Sequence, residues 1–95
     1  MTLPTAHAQT LAERLAQQEL EREERRQREL AEQRSDANPP AVRIRAWERL
    51  HALRLPSDPA HPVLDVIAIS TRLTLAQVRE EQDARAARAA AKPSG

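Results

Sequence analysis

Two consecutive prolines, Pro39 and Pro40, close the stretch SDANPP (residues 35–40) and divide the chain. The first disfavours helical backbone at Asn38, and two prolines in a row cannot continue a helical hydrogen-bond ladder. A helix arriving from the amino side has to end near Arg34. The run from Thr10 to Arg34 contains neither proline nor glycine and consists almost wholly of strong helix formers. Thr10 and Glu13 have the spacing of a capping box, so a helix is expected to begin there. Leu11 and Leu15 share a face, whereas Leu20 lies about half a turn away, and no a/d seam persists. Support between Glu19 and Gln33 is expected from pairs four apart, Glu21 with Arg25 and Glu24 with Arg28. Residues 10–34 therefore read as a charged helical arm, solvated or partly disordered, with a weak coiled-coil contact through Leu11, Leu15 and Leu30 as one means of association. Its arginines are offset by as many glutamates, which argues for a solvated face over an RNA-binding arm.

Beyond the 35–40 linker, AVRIRAWERLHALRL sets Val42, Trp47, Leu50, Leu53 and Leu55 among arginines at spacings that fit one helical face. This predicts an amphipathic helix of about four turns. Prolines 56, 59 and 62 then make a stiff connection, with Pro62 suited to a first helical position. VLDVIAIST (63–71) is apolar nearly all round and is expected to be the most buried segment, a helix because nothing else in the chain pairs with it as a sheet. The last helix is capped by Thr74 and runs towards Pro93. Thr74 and Gln77 form a capping box, and Leu73 with Val78 a hydrophobic staple.

The stretch IAISTRLTLAQV resembles the helix-turn-helix family. Ala68 stands where that family has a small residue, Leu73 where an apolar residue plugs the turn, Thr74 at the cap and Val78 where a side chain packs back on the first helix. The resemblance covers residues 63–82. It departs from the family at Arg72, where a glycine in left-handed conformation is usual, and this weighs against a tight three-residue turn. Taken with the Val42–Leu55 helix, the pair implies a three-helix unit, and the resemblance implies outward positions at Leu75, Ala76, Arg79, Glu80 and Asp83. Arg79 is the one conventional base reader among them. The DNA contacts expected are Arg72, Thr74, Gln77 and Arg79, with Arg43, Arg45 and Arg49 available to phosphates.

Composition narrows the alternatives. The chain has no cysteine, one glycine and one aromatic residue, Trp47, which removes thiolate chemistry, Cys-based zinc sites and glycine-rich phosphate loops. The single tryptophan is expected in the core with Leu50, Ile67, Ala68, Leu73 and Val78. His7, His51 and His61 lack an i,i+4 partner, so no metal and no cofactor are expected; His51 and His61 more plainly bridge helix and loop. Asp58 and Asp65 do not form an acid–base pair, and no enzyme is expected. Residues 1–38 carry six arginines against eight carboxylates, and residues 39–95 eight arginines and one lysine against six. The second part is only mildly basic. Arginine outnumbers lysine fourteen to one, which suits bidentate contacts, though GC-rich coding produces the same bias.

The sequence thus predicts an all-α protein: a disordered start (1–9), the charged arm (10–34), the linker (35–40), a compact three-helix domain (41–90) and a disordered tail (91–95). Two functional readings follow. One is a small accessory or regulatory DNA-binding protein, a homodimer because one weakly basic module would bind poorly. The other is an adaptor or inhibitor that binds a partner protein through the bundle and the arm. No signal peptide or membrane span is read, and a cytoplasmic location is expected.

Overall fold

The computed structural model describes residues 10–91; the expected disorder at 1–9 and 92–95 lies outside them, while Ala91, expected in the tail, ends the last helix. The fold is all-α: α1 (Leu11–Arg34), α2 (Pro40–His51), α3 (Val63–Thr71) and α4 (Leu75–Ala91). No helix among the described residues is long and apolar enough to cross a membrane.

α1 begins where Thr10 Oγ1 accepts the Glu13 N–H at 3.1 Å, the hydroxyl half of the predicted box. It ends at Arg34, and Asn38 Nδ2 donates to the Glu32 carbonyl at 3.0 Å, satisfying one of the carbonyls a helix end leaves over. The two prolines that stop α1 also start α2. Pro39 is its N-cap and Pro40 its first residue, a position where the missing N–H loses nothing; Pro40 therefore belongs to α2, not to a linker.

α2 is shorter than its sequence pattern suggests. Ala52 adopts a left-handed conformation (φ 53°, ψ 38°), and the Leu53 N–H turns back to the Glu48 carbonyl at 3.1 Å. Leu53 is exposed and Leu55 packs on the core from outside the helix. Two forces take the chain off its helical path: Pro56 biases Leu55 away from helical backbone, and the Glu48 carboxylate accepts the Leu55 N–H at 2.8 Å.

The core joins Ile44 and Trp47 of α2 to Leu64, Ile67 and Ala68 of α3, Leu73 of the turn and Val78 of α4. Leu50 is only half-buried, on the side facing α1. α3 is not buried all round. Leu64, Ile67, Ala68 and Thr71 form the inner stripe at i, i+3, i+4 and i+7, which leaves Val66 and Ile69 facing out, Ile69 at 81% exposure. A nine-residue helix at the rim of a small bundle has neighbours on one side only.

The arm docks by its end. Gln33 is 2% exposed and its Nε2 donates to the Ser70 carbonyl at 3.3 Å. Arg49 of α2 meets Glu29 and Glu32, each at 3.1 Å. These contacts, and not Glu21–Arg25 or Glu24–Arg28, are the ion pairs α1 makes among the described residues. Residues 11–28 are exposed throughout. At 1.5 Å per residue that is about 27 Å of helix whose side chains are exposed, and the described residues span 65 × 37 × 25 Å.

Candidate nucleic-acid interface

Three residues, Arg72–Leu73–Thr74, separate α3 from α4. Arg72 is left-handed (φ 57°, ψ 39°), its N–H donates to the Ile69 carbonyl at 3.4 Å, and the Leu73 N–H donates to the Ala68 carbonyl at 2.9 Å. This is a Schellman closure with Leu73 as its apolar plug. The tight turn forms without glycine, the backbone accepting a Cβ in a region that costs about 1–2 kcal/mol, because burial of Leu73 and the two hydrogen bonds offset it. The predicted capping box is complete: Thr74 Oγ1 accepts the Gln77 N–H at 3.1 Å, and Gln77 Oε1 accepts the Thr74 N–H at 2.8 Å. Leu73 and Val78 join the same core. Local sequence thus fixes where α4 begins and at what angle it leaves α3.

The structure sorts the expected contact residues. Arg72, Thr74 and Arg79 are exposed, as are Ala76, Glu80 and Asp83, while Leu75 and Gln77 are half-buried. Thr74 and Gln77 direct their polar atoms into the cap. Arg79 Nε donates to the Pro59 carbonyl at 3.1 Å, which lays the side chain against the proline-rich connection. Arg45 is exposed on α2, with no hydrogen bond or ion pair to the turn among the described residues. Arg43 is 8% exposed and belongs to the fold. Its guanidinium donates to the carbonyls of Asn38 (2.8 Å), Asp36 (3.2 Å), Thr71 (3.3 Å) and Arg72 (3.5 Å). The last two are carbonyls left over at the end of α3, so Arg43 pins the α3–α4 turn to the segment after α1 and presents no cation to a polyanion.

A second network holds α4 from behind. Arg85 makes a two-pronged contact to Glu48 of α2, Nη1–Oε2 at 2.9 Å and Nη2–Oε1 at 2.6 Å, and Nε donates to Glu81 at 2.9 Å. Burial alone would raise the Glu48 carboxyl, but the Arg85 hydrogen bond, the Leu55 N–H and the charges of Arg85 and Arg54 hold it below its ordinary value. Hydrogen bonding to Glu48, stronger than the opposing effect of burial, raises Arg85 in turn, with Glu81 adding to it. Gln82, buried, donates through Nε2 to the Pro56 and Asp58 carbonyls and fixes the connection that Arg79 leans on.

Sequence reasoning missed a cationic cleft. Between α1 and the end of α2 lies a cavity of about 780 Å³ whose walls carry Arg22, Arg25, Arg26, Arg34 and Arg49, with Leu30 and Leu50 below them. Glu29 is its one acid and is already paired with Arg49, which it holds above its ordinary value by hydrogen bonding. The signal was in the 3.6-residue period: Arg22 and Arg26 share a face from which Glu21 and Glu24 turn away, while Glu29 stays on it. Trp47 lies in the core with its ring centroid 4.8 Å from that of His51, and His61 Nδ1 accepts the Val63 N–H at 3.0 Å, helping to start α3. No group of three or more His, Asp or Glu side chains able to hold a metal occurs among the described residues.

No protein family, no curated protein and no solved structure matches this chain.

Proposed function

We propose that this chain is a small, non-enzymatic, DNA-associated regulatory or accessory protein of the cytoplasm, with the α3–turn–α4 pair as its binding module. The observation that carries the reading is the turn itself. A left-handed Arg72, a buried Leu73 and a complete Thr74–Gln77 box hold the first turn of α4 rigidly while leaving Arg72, Ala76 and Arg79 exposed. In that arrangement Arg72 meets a phosphate, Arg79 exchanges its Pro59 contact for a guanine edge, and Ala76 touches a thymine methyl. Exposed Glu80 and Asp83 repel phosphates, so α4 enters the groove by its first turn and a half only. Thr74 and Gln77 act through the cap, and Arg43 acts by holding the turn.

The test is anisotropy of a labelled mixed-sequence duplex at about 50 mM and about 200 mM salt. Micromolar binding that weakens with salt is expected, with a loss of roughly tenfold in Arg79→Ala. No binding at micromolar protein at the lower salt would rule the reading out.

The second reading, an adaptor or inhibitor that grips a partner protein through the bundle and arm, is favoured by one observation: Val66 and Ile69 stand exposed side by side on α3. Binding that survives high salt and is lost in Ile69→Glu would support it.

A further inference from the structure

α1 is longer than its docking requires. At about 100° per residue, Leu11, Leu15, Arg22, Arg26, Glu29 and Gln33 fall within about 60° of one another, with Glu19 and Leu30 at the edge of the same stripe. Towards the carboxyl end this stripe meets α2 and α3. Towards the amino end it meets no other element among the described residues: Leu11 is 70% exposed and Leu15 50%. Helices in proteins draw most of their stability from a packed face, and this part of α1 has none among the described residues.

The same face borders the cleft, and the two halves of α1 are complementary. The amino half, residues 11–21, offers Leu11 and Leu15 with three glutamates against one arginine. The cleft has Leu30 and Leu50 below and arginines above, and Arg22, Arg25, Arg26 and Arg34 make no ion pair among the described residues.

The geometry points to a second copy of this chain as the occupant, its α1 lying antiparallel along the first. A two-fold axis beside Arg22 and Glu23 sets Leu15 on Leu30 of the second copy, Glu19 on Arg26, Arg22 on Glu23 and Leu11 by the Arg34 stem. Each contact occurs twice, as an isologous interface requires. A parallel pairing would place Arg22 on Arg22 and Arg26 on Arg26, an arrangement that like-charge repulsion disfavours. The two-fold dimer stands whether or not α4 grips DNA.

Light scattering of the full chain, without DNA, tests it. Twice the chain mass is expected at micromolar concentration. Glu19→Arg and Arg26→Glu should each give monomer, because each sets like charges together at two places; the double variant should restore the dimer. Residues 19 and 26 of one helix are about 10 Å apart along its axis, too far to rescue each other within a chain. Both are exposed, and Trp47 fluorescence confirms the core in every variant. Leu15→Ala should weaken association tenfold or more. A monomeric native chain overturns the proposal, as does a dimer indifferent to positions 19 and 26 or a double variant that stays monomeric. A monomer whose binding to duplex DNA falls in Arg22→Ala and Arg26→Ala would assign the cleft to DNA.

Discussion

Arg85 of α4 and Glu48 of α2 meet through two hydrogen bonds, 2.9 and 2.6 Å, and Glu48 also takes the Leu55 N–H. One carboxylate therefore sets the end of α2, the path of the following loop and the position of α4. The pair is partly buried, between the exposed and the fully buried limits. Arg85→Ala should lower stability by about 2 kcal/mol, read as a lower urea midpoint from Trp47, the chain's only tryptophan, which is buried in the core.

The same pair predicts the acid response. The folded-state Glu48 carboxyl lies below its ordinary value of 4.5, so the unfolded chain binds the proton first. The contribution is whole above the ordinary value and is lost as pH falls through the lower, folded one. Urea midpoints should be flat with respect to this group near neutrality and decline below about pH 4.5. Glu48→Gln should be less stable at neutral pH and decline less steeply in acid.

Arg72→Gly should stabilise the fold by about 0.5–1 kcal/mol, since relief of the left-handed Cβ exceeds the extra entropy of glycine in the unfolded chain. Arg72→Val, β-branched at a positive φ, should lose about 1–2 kcal/mol. Equal midpoints for the two variants would mean that the turn is not left-handed in solution.

Arg43→Ala should cost about 3 kcal/mol, because four carbonyls lose a charged donor at once. Arg43→Lys should recover only part, as an ammonium lacks the planar fork that reaches both sides of the junction. Thermal unfolding followed by circular dichroism gives the order Arg, Lys, Ala.

The beginnings of helices were legible because caps are local. Thr74, Gln77, Leu73 and Val78 lie within six residues, and the sequence alone predicted their contacts. The core was largely legible too, since Trp47, Ile67, Ala68, Leu73 and Val78 all lie in it as expected, though Leu50 proved half-buried. What escaped depended on distant partners. Leu53 and Leu55 continue the α2 pattern, and only the Glu48–Leu55 bond and the left-handed Ala52 show why the helix stops. Val66 and Ile69 read as buried because an apolar run does not reveal which side lacks a neighbour. Arg43 read as a surface cation, since nothing local announces that carbonyls from two other segments converge on it. At the site, the rigid start of α4 was legible and the exposed Arg72 was expected, whereas the arginine cleft was hidden by glutamates interleaved in sequence, of which Glu21 and Glu24 turn to other faces and Glu29 is taken up by Arg49.

The central claim is that the first turn of α4 is the surface that meets DNA. Amide NMR shifts of the labelled chain on adding a short duplex locate the contact residue by residue. The largest changes are predicted for Arg72 to Glu80, with α1 residues 11–28 little affected. Shifts absent at saturating duplex, or confined to residues 22–34 around the cleft, would contradict it.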